Sequence, residues 1–283
     1  MSEFREVLNP ADPFWEACAR HTARQSTRVI NHIYLCDRCA SRLTRESFNQ
    51  RPPIYHGETV EGYCGLCNTL QGVTLRLWFA CPICWNVVVA YQKGFAASEA
   101  VHSHWRNMIA PSFPDLRLVE QDEIRLLPYA RAPQTKKTAA ALLTALDFVV
   151  IDNNQEPLFH IELKTGPGGL SEMREFQLDV NDSNDIMGAV NNTQLPAYIF
   201  HVKVKYEYLP PTRRAAAGGL WYTDIFTLIE HRRSVKQRRG EDKLAGYYSP
   251  AAFRPIDQFP SELGARSYEE LRRRVLSQPF TLL

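Results

Sequence analysis

Six of the seven cysteines in this chain fall into three Cys-x-x-Cys pairs, Cys36/Cys39, Cys64/Cys67 and Cys81/Cys84. A pair at that spacing turns two sulfurs toward one point, and four thiolates satisfy tetrahedral Zn²⁺. In an intracellular chain such pairs read as metal ligands rather than disulfides. The second and third pairs are separated by 13 residues. The segment between them, Leu70–Phe79, predicts a β-hairpin, and two knuckles joined that way make a zinc ribbon. Cys36 and Cys39 supply half of another site or pair with one of the later knuckles. His21, His32, His56, His102 and His104 are further candidate ligands. His102 and His104 stand two apart on a predicted helix, so their side chains point about 200° apart and do not chelate together. The expectation is one or two structural Zn²⁺ ions, closed to substrate because a four-cysteine site has no open position. A redox pair needs a solvent-facing helix start, which three pairs at this spacing fit poorly. Cys18, outside any pair, reads as a buried apolar side chain.

A chain of 283 residues is natural for two units. We expect an N-terminal helix and zinc module over 1–92, and a catalytic domain with a basic C-terminal extension over 93–283. Hydrophobic residues at 45% and charged residues at 23% describe an ordinary globular protein. A net charge of +2 is too weak to indicate a nucleic-acid partner. Its distribution says more, because Lys203 to Arg274 holds His231-Arg232-Arg233, Lys236, Arg238-Arg239 and Arg272-Arg273-Arg274. The N-terminus lacks the basic start and apolar run of a signal peptide. The most apolar stretch, Leu77 to Tyr91, contains Pro82, Asn86 and two cysteines, and is too short and too polar to span a bilayer. The sequence is therefore read as cytoplasmic, with no membrane partner.

Residues 1–30 read as helical, with Phe14, Trp15, Cys18 and His21 on one face. Residues 94–109 predict an amphipathic helix ending before Pro111. Strands are expected at Leu116–Glu120 and Ile124–Leu127, and a helical or connecting segment at Thr138–Leu143. The β-branched run Ala145–Ile151 favours a strand. Asp152 to Pro157 is turn chemistry, after which Leu158–Lys164 resumes as the second arm of a hairpin. A helix from about Asp182 to Asn191 and a strand over Leu195–Tyr206 follow. In that strand Tyr198, Phe200, Val202 and Val204 share one face, and His201, Lys203 and Lys205 the other.

The hairpin carries the chemistry. Strand alternation puts His160, Glu162 and Lys164 on one face and Leu163 on the other. The partner arm brings Asp147 beside Glu162. Two converging carboxylates repel each other unless a cation lies between them, and oxygen ligands with waters and phosphate suit Mg²⁺. A lysine beside them can orient or deprotonate a water attacking phosphorus. Glu-x-Lys on a solvent-facing strand is common, but both arms here are apolar enough to be central strands, where charge is disfavoured without a task.

Asp147, a turn and then Glu162-Leu163-Lys164 closely resembles the active-site hairpin of the PD-(D/E)XK nuclease superfamily. Its core order, helix, strand, hairpin, helix, strand, would fall on 94–109, 116–127, 145–164, 182–191 and 195–206. The resemblance implies an α/β (α+β) restriction-endonuclease-like core, a mixed central sheet flanked by helices, beside the Cys-rich zinc module. It assigns Asp147 and Glu162 to the metal, the Leu163 carbonyl as a further ligand, and Lys164 to the water. Glu99 matches a glutamate that many members carry on the first core helix. Gln177 lies where some members place a polar residue near the water or metal, and equally reads as a surface residue. Leu146 stands where the family has proline before the aspartate, which removes no reacting group. Asp182 and Asp185 read as helix N-capping and first-turn acids rather than, with Asp179, as a second metal site.

The functional expectation is a Mg²⁺-dependent endonuclease of the type II restriction kind, acting on double-stranded DNA as a homodimer. The resemblance implies 5′-phosphate and 3′-hydroxyl ends. A repair, recombination or mobile-element nuclease that recognises DNA structure is the alternative. A non-catalytic zinc-ribbon DNA-binding protein is a third.

Overall fold

The computed structural model describes residues 5–7, 29–45, 54–80, 82–120, 123, 146–166, 168–169, 172–238 and 243–277. The face of Phe14, Trp15, Cys18 and His21, the strand at Ile124–Leu127, the segment Thr138–Leu143, Cys81, the Cys84 side chain and Arg239 lie outside them. By its internal contacts the chain forms two compact units, 1–96 with 205–216, and 97–204 with 217–283. No helix among the described residues is long and apolar enough to cross a membrane.

The first unit is built on an antiparallel sheet. Strand β1 (Arg5–Val7) pairs with β2 (Val29–Leu35), so residues read as helical there are extended. Helix α1 (Asp37–Arg45) follows, then β3 (Ile54–Tyr63) and β4 (Leu70–Ala80), in the sheet order β1-β2-β4-β3. Leu70–Phe79 is thus one arm of a hairpin and not a hairpin itself, since β4 pairs with β2 along one edge and β3 along the other. An 11-residue run rich in β-branched and aromatic side chains needs no internal turn. The turn falls instead between Tyr63 and Leu70, on the second cysteine pair.

Helix α2 (Pro82–His104) starts 12 residues before the expected 94, where Pro82 supplies a first-turn residue that needs no N–H partner. It ends in a π-helical turn, Trp105–Ile109, whose Trp105 and Ile109 are buried. In the second unit, β5 (Arg117–Glu120), β6 (Phe148–Ile151) and β7 (Pro157–Gly166) pair antiparallel in succession. After β8 (Phe176–Asp179) come α3 (Val180–Thr193), β9 (Ala197–Leu209) and β10 (Thr212–Asp224). Next are α4 (Ile225–Glu230), β11 (Arg232–Gln237) and β12 (Leu244–Tyr248), then β13 (Arg254–Pro255), α5 (Phe259–Gly264) and α6 (Ser267–Ser277).

The central sheet has the order β13-β10-β9-β7-β6-β5. Its β7–β9 pair is parallel while its β6–β7 pair is antiparallel, so the expected mixed sheet flanked by helices is present. The helix, strand, hairpin, helix, strand order appears as α2, β5, β6–β7, α3 and β9. Period-two alternation splits the sheet's side chains between two cores. Phe148, Val150, Phe159, Ile161, Tyr198 and Phe200 pack with Val101, Trp105 and Phe259 on one side. Ala197 and Ile199 pack with Ile186, Met187 and Val190 of α3 on the other. Ring contacts around Phe259 tie Phe159, Tyr198, Phe200 and Tyr222 together. The charged face of the hairpin is therefore the α3 side.

Candidate active site

Glu162 is placed by the two strands that flank β7. It stands opposite Ile199 of β9 in the parallel register, and the β6 register, carried one residue past Phe148↔Ile161, sets Asp147 against it. Asp147 lies just before β6 and accepts the Leu163 N–H through Oδ2 at 2.7 Å. That bond uses an amide a regular ladder would give to a carbonyl, and it fixes the carboxylate beside Glu162. Lys164, two residues on, reaches back so that Nζ lies 2.8 Å from Glu162 Oε1. It also donates to Asp182 Oδ2 at 2.7 Å. One cation is thus shared by two of three neighbouring carboxylates.

Burial raises the Glu162 carboxyl to about 8, Asp147 and Asp182 push the same way, and the Lys164 ammonium only partly offsets them. Burial likewise raises Asp147, against the Leu163 N–H and Lys164. Burial alone would lower Lys164, but Glu162 and Asp182 outweigh it and hold the ammonium charged. An ion pair beside a carboxylate normally depresses its pKa. At Glu162 the reverse holds because burial, with Asp147 and Asp182 adding to it, outweighs the Lys164 ammonium. A divalent cation is what such a cluster of hard oxygens accommodates.

The other sequence candidates are placed differently. Glu99 is exposed on α2, and no hydrogen bond or ion pair joins it to these carboxylates among the described residues. Gln177 is an exposed position of β8 opposite Tyr247, in the three-stranded sheet β11-β12-β8. His160 shares the Glu162 face as expected, but it is 1% exposed. Burial drives its pKa down to about 3, and its Nε2 lies 3.1 Å from Thr193 Oγ1 at the far end of α3. It is a neutral packing residue. Asp182 is the first-turn acid the sequence suggested, and its contact with Lys164 is what sequence reasoning missed. It lies in the first turn of α3, but the N-cap is Asp179, whose side chain makes no capping bond. The available signal was its place at the start of the helix following the Glu-x-Lys strand.

Four of the cysteines gather in one cluster. The sulfurs of Cys36, Cys39, Cys64 and Cys67 all lie within 4.8 Å of one another, three of the residues buried and Cys67 half-buried. The first pair thus combines with the second. The ribbon expected from Cys64, Cys67, Cys81 and Cys84 is replaced, because the β3–β4 turn faces the end of β2 where Cys36 leads into α1. The Gly65 N–H donates to the Tyr34 carbonyl at 2.6 Å, and a Cβ on Gly65 would meet Ile33 at 2.6 Å, so the close approach requires glycine. Asn68 ends the turn at φ +57°. Backbone N–H groups point at sulfur, Cys36 to Cys64 and Cys39 to Cys36, each at 3.4 Å. Contacts from Cys39 and Cys64 lower the Cys67 thiol, and contacts with Cys64 and Cys67 raise Cys39. Without a cation the four sulfurs cannot all be thiolates; four cysteines so placed can hold zinc, with no position left over. His102 is engaged elsewhere, 2.6 Å from Glu120.

The basic clusters lie mainly on strands. Arg232, Arg233 and Lys236 are exposed on β11, not on a helix. Much of the local charge is matched by acids, Arg238 to Asp179 at 3.4 Å, Lys203 to Glu172 at 2.6 Å and Arg274 to Glu230 at 2.8 Å. Arg272 and Arg273 are exposed on α6.

No protein-family model matches the sequence, and no curated protein matches it. Among solved structures, D212, a nuclease from a fusselovirus, aligns with a TM-score of 0.36 and 9% identity, covering 62% of this chain and 94% of that one. That likeness is too low to establish a common fold or activity.

Proposed function

We propose that this protein is a Mg²⁺-dependent nuclease of the PD-(D/E)XK kind that hydrolyses phosphodiester bonds in DNA. One observation carries the reading: Asp147 and Glu162 converge at the centre of the sheet, with Lys164 their one nearby cation among the described residues, 2.8 Å from Glu162 Oε1, and burial, with Asp147 and Asp182 adding to it, raises Glu162 to about 8. Asp147, Glu162 and the Leu163 carbonyl would hold the metal. When bound, Mg²⁺ polarises a phosphoryl oxygen and acidifies a water. Lys164 orients that water by hydrogen bonding and offsets charge growing on the phosphate oxygens. Asp147 is kept in place by the Leu163 N–H, so its carboxylate is aimed before any ligand arrives. The cysteine cluster is structural and takes no part in the chemistry.

In its specific form this reading is a type II restriction endonuclease in the cytoplasm, with a homodimer cutting both strands of a duplex site. The 1–92 module and the exposed arginines Arg232, Arg233, Arg272 and Arg273 would hold phosphates. The test is purified protein with Mg²⁺ on a genome-sized natural DNA, followed by sequencing of the ends. Discrete duplex ends are expected. Products confined to branches or termini would replace site recognition by structure recognition, and binding without cleavage would overturn the enzyme.

A further inference from the structure

Asp182 has no task in a centre of two carboxylates and one lysine, yet it makes the shortest ion pair there. Its Oδ2 is 2.7 Å from Lys164 Nζ, against 2.8 Å for Glu162 Oε1. Its side chain is 42% exposed while that of Glu162 is 9%. An acid in the first turn of a 14-residue helix is stabilised by the helix N–H groups without any lysine, so the fold does not need this contact. Lys164 does. A divalent cation held by Asp147 and Glu162 would compete for the oxygen that Lys164 contacts and would repel the ammonium.

We propose that Asp182 is a positioning residue that receives Lys164 when a divalent cation takes Glu162, an inference that rests on the nuclease reading above. Lys164 then serves as a resident cation that changes partners. Without a divalent ion it bridges Glu162 and Asp182; with one, Asp182 alone holds it beside the hairpin, where it can reach a water or a phosphate oxygen. Losing Asp182 leaves Lys164 committed to Glu162, so the ammonium and the metal compete. Glu172, Glu175 and Asp179 do not provide a substitute, being paired with Lys203, Lys236 and Arg238.

The test is Ca²⁺ binding by titration calorimetry on the full chain and on Asp182→Asn, Lys164→Ala and the double variant, with cleavage kinetics in Mg²⁺. Asp182→Asn is expected to weaken Ca²⁺ binding about tenfold, within the coupling range of contacting charged residues. It is also expected to lower kcat by about tenfold while the KM for DNA stays unchanged. In the Lys164→Ala background the same substitution should change Ca²⁺ affinity by less than about twofold, because the intermediary is gone. Asp182→Glu should recover most of both losses, and each Asp182 substitution should leave the melting temperature of its own background unchanged. A full loss of Ca²⁺ affinity that persists without Lys164 would make Asp182 a ligand in its own right and overturn the proposal. So would an unchanged Ca²⁺ affinity and kcat in Asp182→Asn. If the unsubstituted protein neither binds Ca²⁺ nor cuts in Mg²⁺, the nuclease reading falls and takes this inference with it.

Discussion

The cysteine cluster and the carboxylate centre are two answers to one problem, like-charged donors held together in a folded chain. The cluster is soft and closed, with four sulfurs from Cys36 to Cys67 set by one turn and one helix start. The carboxylate centre is hard, with Asp147, Glu162 and Asp182 brought together by a hairpin and a following helix. The cluster's four sulfurs could hold zinc. The carboxylate centre contains Lys164, which partly neutralises it and leaves room for exchange. A closed four-cysteine site has no spare position and no competitor for its donors, whereas Glu162 already has one in Lys164.

The largest effect that could break this contrast concerns zinc. The purified chain should carry one Zn²⁺ at the cluster, and Cys36→Ser or Cys64→Ser should lose it together with the fold of the first unit. Structural zinc in small modules contributes roughly 10 kcal/mol or more of apparent binding energy to folding. Elemental analysis and melting curves decide this, and a folded, metal-free protein would remove the closed-site half of the comparison.

Chemistry comes next. Asp147→Ala, Glu162→Ala and Lys164→Ala should each lower cleavage by about a hundredfold or more, while DNA binding in Ca²⁺ survives and the zinc content is unchanged. Ca²⁺ should support binding without hydrolysis, since its looser coordination misplaces the attacking water. Near-normal cutting by Lys164→Ala in a gel assay would detach the chemistry from this hairpin.

The burial of Glu162 beside other carboxylates makes a prediction about pH. Glu162 stands at about 8 in the folded chain against an ordinary 4.5, so between those values the native state retains a proton that the unfolded state has released. Its contribution to stability is undiminished below pH 4.5 and declines as pH rises toward 8. Glu162→Gln should therefore stabilise the metal-free protein at pH 8, on the order of a few kcal/mol, with the gain vanishing near pH 4. Denaturant melts at the two pH values read it out. A variant no more stable than the parent at pH 8 would mean that Lys164 already balances the centre.

The smallest effect belongs to the basic surface. Replacing Arg232 and Arg233 with Ala should weaken binding to cognate and unrelated DNA alike, and flatten the dependence of log K on log salt by about one unit per lost phosphate contact. Arg233 already donates to the Arg174 carbonyl at 3.4 Å and to Ser249 at 3.1 Å, so Arg232 should account for most of the change. A loss of base discrimination with an unaltered salt slope would instead place these side chains on base edges.

Around the hairpin local pattern alone determined the element types, but not in the first unit, where the stretch read as helical contains β1. The apolar arms on either side of Asp152–Pro157, the helix after them and the strand from 197 are all legible because period-two and period-3.6 burial is written into neighbouring residues. The sharing of a face by His160, Glu162 and Lys164 was legible for the same reason. Tertiary structure decided which charges meet. Asp182 looked like an ordinary first-turn acid, since the helix N-terminus already accounts for it, and only the approach of α3 to β7 gives it Lys164. The cysteine partition was decided in the same way. Spacing favoured Cys81 and Cys84 as partners for the second knuckle, but the pairing of β4 with both β2 and β3 turns that knuckle toward Cys36 and Cys39. Spacing along a chain limits which ligands can meet, whereas strand register selects among them, and register is set by the burial of entire faces rather than by the ligands.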